Sequence, residues 1–274
     1  MDTNSTYDAM AGRYLHGKTT TLFRYIQSGP IRKFMDIARR DSEYRELNIL
    51  IVGPGPHGNV EEWVNQVTMK DASGSFIWPF EEIDPSKVTY LDNSSVILDA
   101  CKQYVETETK NRTGNSGGQF IFGAGEQLDK YVETNYFDIV LGALCDHIDP
   151  KKFFRSTSAV LKQGGALITS YPADGINRVV REQIYQIPPT CTRFMVDGVP
   201  HLVPSTLVTT DTLRSLYNLH GYVGCETVAV SAGKIKATET IRRAANLETV
   251  DPQQAPLVVV GFGRKCFGAQ TRRA

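Results

Sequence analysis

Glycines at positions 53, 55 and 58 follow an apolar run, Leu47 to Val52, and this stretch has the residue types best suited to hold a ligand. Ile49 to Val52 are all apolar and mostly β-branched, which predicts a buried strand that stops at Gly53. Residues without a Cβ let the main chain bend sharply and let a ligand approach it closely. Residues 59–69 carry apolar side chains at helical spacing, with acidic residues in the first turn. A strand, a glycine turn and a helix N-terminus form a nucleotide-sized crevice; a plain turn between packed elements is the alternative.

A carboxylate at the end of the second predicted strand is the next candidate. Residues 87–91 form that strand, and Asp92 follows it directly. At the carboxyl end of a strand beside a glycine turn, an acidic residue can accept both hydroxyls of a ribose. Asn93 is the expected cap of the helix that follows, to about residue 105. The alternative is that Asp92 only caps this helix.

Asp146 and His147 lie just beyond the fourth predicted strand, where a general base would reach an acceptor molecule at the same edge. Histidine is the most common general base in proteins. The alternative is that His147 caps or packs beneath the turn. Tyr171 and His201 are weaker candidates for the same role.

The apolar pattern predicts a parallel sheet with helices on both faces. Further helices are expected at 150–161, ending at Gln163 to Gly165, and near 210–219 and 238–247, with a surface loop at 107–118. The predicted strands are 47–52, 87–91, 119–122, 136–142 and 166–171, followed by 222–230 and 256–261.

Two segments lie outside this alternation. Residues 1–47 have helical apolar spacing interrupted at Gly29-Pro30, which predicts either a helical pair packed on the sheet or a lid over the glycine turn. Residues 172–210 are too long for an ordinary connection and predict an insertion that covers an acceptor site. A hairpin is expected within it, around Asp197-Gly198. The remaining residues, 48–274, would form the main domain.

Composition narrows the class of partner. Thirty basic and thirty acidic residues balance, so no global field favours nucleic acid or an anionic membrane. The five cysteines are scattered and have no CxxC spacing, which predicts reduced thiols, a cytoplasmic location and no metal site. No apolar run approaches the length of a membrane span. A small-molecule partner fits this composition best.

With these elements in order, the chain resembles the class I S-adenosylmethionine-dependent methyltransferases over roughly residues 5–264. The Tyr7-to-Tyr14 segment also looks like the YDxxAxxY opening of small-molecule members of that family. The resemblance implies a Rossmann-like sheet of seven strands with an antiparallel last strand. The motifs that carry it are the glycine turn, Asp92, the turn 123–126, the run Phe137-Asp138-Ile139-Val140 and the run Leu161-Lys162-Gln163-Gly164-Gly165.

The family's cofactor contacts imply particular residues in this sequence. Gly53, Pro54 and Gly55 would line the methionine moiety of S-adenosylmethionine, and Asp92, with Asn93 beside it, would hold the ribose. The resemblance further implies contacts to the adenine from Ala124, Gly125 and Glu126, and contacts to the other side of the cofactor from Ala143 and Leu144. Acceptor contacts are expected from Tyr14, Tyr171, Tyr185 and His201.

Two positions depart from the family pattern. The family often has an acidic residue where this chain has Ile51, and often another where it has Ala124, so Glu126 or the backbone would have to replace the second.

Methyl transfer to a small-molecule acceptor is the leading prediction, because this reaction mainly requires alignment of two atoms and exclusion of water. A non-methylating, cyclase-like use of the same cofactor is an alternative. An NAD(P)-dependent reductase ranks third, because its ribose acid usually lies ~20 residues past the last glycine, whereas Asp92 lies 92 − 58 = 34 residues past Gly58.

Overall fold

A computed structural model describes residues 21–40, 46–55, 84–113, 117–196, 198–233 and 237–267. The strands are β1 (Ile49–Val52), β2 (Val88–Asp92), β3 (Gln119–Phe122), β4 (Phe137–Gly142), β5 (Leu161–Pro172), β6 (Cys191–Val196), β7 (Val199–Pro204), β8 (Tyr222–Ser231) and β9 (Pro256–Lys265). The α-helices are α1 (Thr21–Arg40), α2 (Ser95–Thr113), α3 (Pro150–Val160), α4 (Ile176–Val179), α5 (Thr210–Leu219) and α6 (Glu239–Leu247), with a π-helical turn at Val180–Ile184 and 3-10 turns at Pro85–Lys87 and Gly125–Lys130.

Seven strands form one sheet in the order β3-β2-β1-β4-β5-β9-β8. Strands β1 to β5 are parallel, and β9 is antiparallel to both of its neighbours. The predicted Rossmann-like sheet with an antiparallel last strand is therefore confirmed. Because parallel strands all end at one edge, the turns after β1, β2, β3 and β4 meet there.

The core lies on both faces of this sheet. Ile49 and Ile51 of β1 belong to the cluster that includes residues of α1, α2 and α6, whereas Leu50 and Val52 belong to the cluster that includes α3 and α5. All four side chains are buried, as expected for a strand covered on both faces. Ile51, which stands where the family often has an acid, is therefore a core residue.

Helix α1 corrects the expected break at Gly29-Pro30, because it continues through both residues. A proline in a helix clashes with the Cβ of the preceding residue, and Gly29 has none. Apolar packing also supports the helix on both sides of this point, since Ile26, Ile31 and Phe34 are buried against the sheet. This part of the segment therefore packs on the sheet; Tyr14 and the rest of 1–20 lie outside the described residues.

Two further boundaries differ from the prediction. Helix α2 extends to Thr113, so the first half of the expected loop 107–118 is helical. Helix α3 ends at Val160, and residues 163–165 belong to β5 instead of stopping the helix. Gly164 has φ +76° beside a shift in the β4–β5 register, and a Cβ at Gly165 would lie 2.9 Å from the Lys162 carbonyl oxygen. These two glycines therefore permit the irregular backbone at the start of β5.

The insertion after β5 begins with α4 and the π-helical turn and ends in a separate two-stranded sheet. Strands β6 and β7 pair antiparallel from Cys191↔Pro204 to Val196↔Val199, which confirms the predicted hairpin. The predicted helix at 59–69 lies outside the described residues. In the part of the chain that the structure describes, no helix has the length and hydropathy needed to cross a membrane.

Candidate active site

The glycine turn after β1 has a backbone conformation that requires glycine. Gly53 and Gly55 have φ values of +63° and +65°, in the left-handed region that other residues rarely adopt. The Gly53 amide donates to the Leu91 carbonyl oxygen at 2.9 Å, which ties the turn to the end of β2. A Cβ built on Gly53 would meet no atom of the described residues within 4 Å. Among the described residues, the turn therefore has open space beside bare main chain.

Asp92 lies beside this turn at the end of β2. Its side chain is largely buried, and its Oδ1 accepts a hydrogen bond from the Ser94 amide at 2.9 Å. The cap of α2 is Ser94, whose Oγ accepts from the Ile97 amide, and not Asn93 as expected. Asn93 is partly exposed next to Asp92. The carboxylate thus supports the start of α2 and is fixed at the strand edge by that contact.

Phe122 at the end of β3 was missed by the sequence reasoning. It pairs with Asp92 in the β2–β3 register and is 59% exposed, although it ends an apolar strand. Paired residues in neighbouring strands point to the same face of a sheet. An exposed aromatic ring next to Asp92 can stack on a flat heterocycle. Its position as the last apolar residue before Gly123 was the available signal.

The residues of the turn after β3 differ in burial and in their contacts. Ala124 is partly exposed, whereas Gly125 is buried and a Cβ there would lie 2.9 Å from Ile148 and 3.0 Å from Val52. Glu126 Oε1 accepts from the Asp149 amide at 3.2 Å. Gly125 thus permits close packing, and Glu126 supports the start of α3.

Ala143 and Leu144 are brought next to the glycine turn by strand pairing. Val52 pairs with Gly142, so the residues after each strand lie side by side. Leu144 has φ +51°, an uncommon conformation for a residue with a side chain. Its amide donates to Ser170 Oγ at 2.7 Å. Backbone of this kind is often found at functional sites.

His147 is held beneath the hairpin. Its Nδ1 lies 2.7 Å from the Pro204 carbonyl oxygen, at the end of β7. Because a carbonyl oxygen only accepts hydrogen bonds, Nδ1 carries a proton, and the other ring nitrogen, Nε2, lies 3.5 Å from Asp146 Oδ2. The ring of Phe194 packs on the imidazole with centroids 5.6 Å apart. His201 pairs directly with Phe194 and therefore lies on the same face of the hairpin.

Asp146 belongs to a buried network and not to an open site. The Ser205 hydroxyl donates to Asp146 Oδ2 and accepts from Arg181 Nη2 at 2.7 Å. The Arg181 guanidinium also donates to the carbonyl oxygens of Pro189 and Ser205. Burial lowers the pKa of Arg181, and the charge of Asp146 acts in the opposite direction. Asp146 therefore fastens the insertion to the end of β4 and is less suited to act as a base.

Two of the expected acceptor contacts are placed by the structure. Tyr171 is fully buried in the core cluster on the α3 and α5 face, so it is corrected to a core residue. Burial raises its pKa well above the ordinary value and raises that of the neighbouring Cys145 to about 12, so both stay protonated. Tyr185 is partly exposed, with the Arg193 guanidinium 4.3 Å from its ring centre. No cluster of metal-ligating residues occurs among the described positions.

Comparisons with known proteins agree with this geometry. A family model described as a methyltransferase domain matches residues 72–169. No curated protein matches the sequence. Solved structures of similar fold include a putative methyltransferase from Haloferax volcanii in complex with the Trm112 methyltransferase activator, with TM-score 0.59, 13% identity and coverage of 96% of this chain and 97% of that one.

Two further solved structures are similar over most of their length. Magnesium protoporphyrin IX methyltransferase from Synechocystis PCC 6803, with bound SAH, has TM-score 0.55 and 10% identity, covering 96% of this chain and 97% of that one. A putative S-adenosylmethionine-dependent methyltransferase from Listeria monocytogenes has TM-score 0.53 and 13% identity, covering 87% of this chain and 100% of that one. Residues 72–169 therefore match a methyltransferase domain, and the fold is similar to that of solved S-adenosylmethionine-dependent methyltransferases.

Proposed function

We propose that this protein transfers a methyl group from S-adenosylmethionine to a small-molecule acceptor held between the end of β4 and the β6–β7 hairpin. The observation that supports this most strongly is the juxtaposition at one sheet edge of the open Gly53 turn, Asp92 and the hairpin-covered His147. One side of this edge suits an adenosine-bearing cofactor, and the other suits an acceptor.

The residues present fit the cofactor. The open side of Gly53 would admit its methionine moiety, Asp92 would hold the ribose, and the exposed ring of Phe122 would cover the adenine. Ala143 and Leu144 would close the opposite side. When bound, S-adenosylmethionine supplies a methyl group on a positively charged sulfur. No protein nucleophile is required, so the protein's part is to align the acceptor and to exclude water.

On the acceptor side, His147 is the residue that we propose as general base. Its Nδ1 donates to Pro204, and Nε2, which lies 3.5 Å from Asp146 Oδ2, is the ring atom that we propose to take a proton from a hydroxyl, an amine or an acidic carbon. Phe194 and His201 share the hairpin face at this point, and an aromatic face with imidazoles suits a flat, largely apolar acceptor. Asp146 holds this arrangement in place through Ser205 and Arg181.

We propose a small acceptor and not nucleic acid because the formal net charge is +0 and supplies no attraction for phosphate backbones. A cytoplasmic location is proposed on the same compositional grounds, since all five cysteines are free thiols. A macromolecular acceptor is the competing case, because one structural neighbour is a methyltransferase complexed with the Trm112 activator.

The test is to incubate the protein with methyl-labelled S-adenosylmethionine and cell extract, and then to separate small molecules from protein and RNA. We expect S-adenosylhomocysteine to form and the label to enter a small molecule identified by mass spectrometry. Label in protein or RNA would overturn the small-molecule acceptor. Absence of S-adenosylhomocysteine with every fraction would overturn methyl transfer itself.

A further inference from the structure

A buried chain of hydrogen bonds joins the N-terminal helix to the backbone beside the glycine turn. The Ser170 hydroxyl, at the end of β5, accepts from the Leu144 amide at 2.7 Å and donates to Gln27 Oε1 at 2.5 Å. Ser170 and Gln27 have no exposed surface. Buried polar side chains need hydrogen-bond partners, so these bonds fix the relative positions of Ser170 and Gln27.

The end of this chain is a residue in a strained conformation. Leu144 has φ +51°, and a left-handed non-glycine residue persists only when its surroundings determine it. The Ser170 hydroxyl bonds the amide of this residue directly. Leu144 also follows β4 at the point where that strand lies beside the glycine turn. A change in the hydroxyl would therefore move backbone that borders the proposed cofactor site.

We propose that Ser170 and Gln27 are positioning residues for the cofactor site, which hold Leu144 in its left-handed conformation on the side of S-adenosylmethionine opposite Gly53. The inference rests on the proposed function for the location of the cofactor. It extends that function by assigning a part in cofactor binding to α1, a helix whose buried apolar residues pack on the sheet.

The neighbouring residue supplies a matched control. Thr169 is also fully buried, and its hydroxyl lies 3.0 Å from the Tyr217 hydroxyl. It points to the opposite face of β5, into the core between the sheet and α5. Removal of either hydroxyl breaks one buried side-chain network, but only Ser170 contacts Leu144.

The experiment is calorimetric titration of the full chain with S-adenosylhomocysteine, with melting temperatures recorded for each variant. We expect Ser170→Ala to raise the Kd by about tenfold or more. Gln27→Met should raise it by less, because Ser170 still accepts from Leu144. The double variant should bind no more weakly than Ser170→Ala alone, since Gln27 acts through Ser170. Thr169→Val should lower the melting temperature and leave the Kd unchanged.

Other outcomes distinguish failure of the positioning role from failure of the proposed function. A wild-type Kd in both Ser170→Ala and Gln27→Met would overturn the positioning role and leave the proposed function standing. An equal loss of affinity in Thr169→Val would also overturn it, because the effect would then be general destabilisation. If Ser170→Ala does not fold, the comparison of Gln27→Met with Thr169→Val decides in the same way. No binding by the wild-type protein would overturn the proposed function and this inference together.

Discussion

The two sides of the candidate site are shaped by different kinds of interaction. On the cofactor side, Gly53 and Leu144 shape the edge through main-chain conformation, with left-handed φ values and bonds between strand ends. On the acceptor side, His147 and Asp146 are held by bonds to residues 204 and 205 of the insertion. The shape of the cofactor side thus depends on main-chain conformation. The shape of the acceptor side depends on hydrogen bonds between side chains and the insertion.

This difference makes the two sides separable by substitution. A change in the hairpin network should alter methyl transfer or stability and leave cofactor affinity unchanged. A change at the glycine turn or at Asp92 should alter cofactor affinity first. The following predictions test this separation, from the largest expected effect to the smallest.

His147→Asn should have the largest effect. The Asn amide nitrogen can still donate to the Pro204 carbonyl oxygen, but the ring nitrogen Nε2 that we propose as the proton acceptor is lost. We expect the rate of S-adenosylhomocysteine formation with the acceptor fraction to fall by about 10²- to 10⁴-fold. Affinity for S-adenosylhomocysteine, measured by calorimetry, should not change. An unchanged rate would show that the acceptor needs no base from His147.

Arg181→Met should destabilise the fold without changing cofactor affinity. It leaves the buried Asp146 with the Ser205 hydroxyl and with His147, whose Nε2 lies 3.5 Å from Asp146 Oδ2, and loss of the cation of a buried charge network costs about 3 kcal/mol or more. The free energy of unfolding in urea measures this. The matched control is Arg178→Met, whose guanidinium bonds Asp174 at 2.8 Å but is 45% exposed. The control should lose less than about 1 kcal/mol; equal losses would contradict a network role for Arg181.

Asp92→Ala should weaken binding of S-adenosylhomocysteine by about 1 to 3 kcal/mol, because charge-assisted hydrogen bonds to the ribose are lost. Asp92→Asn is the control for the structural contact, since its amide oxygen can still accept from the Ser94 amide at the start of α2. It should bind more tightly than Asp92→Ala and more weakly than the wild type. If the Kd is the same in all three proteins, the ribose is held elsewhere.

Gly53→Ala and Gly224→Ala form the most finely matched pair. Both glycines have left-handed φ values, +63° and +61°, and a Cβ at either would meet no described atom within 4 Å. Each alanine should lower the free energy of unfolding by about 1 kcal/mol. Only Gly53→Ala places a methyl group in the proposed cofactor site, so only it should weaken S-adenosylhomocysteine binding, by about tenfold. A similar Kd for both variants would mean that the cofactor does not approach Gly53.

The same contrast explains what the sequence could predict. The strand edge follows from local pattern, so an apolar run ending in Gly53 and a strand ending in Asp92 were enough to place these residues together. Ser94 instead of Asn93 as the cap of α2 is a shift of one residue, which propensity does not resolve. The helix through Gly29-Pro30 depends on burial of Ile31 and Phe34, a tertiary effect that overrides a local breaker signal.

The acceptor side could be predicted only in outline. The hairpin followed from Asp197-Gly198 between apolar runs, but its partners did not. Nothing near Asp146 in the sequence indicates that Ser205 and Arg181 will bond it, because these residues are separated by long stretches of chain. Tyr171 was expected at the acceptor because it ends the fifth predicted strand, yet strand alternation turns its side chain into the core.

The most direct test of the central claim is calorimetric titration of the wild-type protein with S-adenosylhomocysteine, paired with melting temperatures over the same ligand range. The account predicts saturable binding at one site and a melting temperature that rises with ligand concentration. No heat of binding and an unchanged melting temperature, with NADH raising it instead, would contradict the claim that this sheet edge binds S-adenosylmethionine.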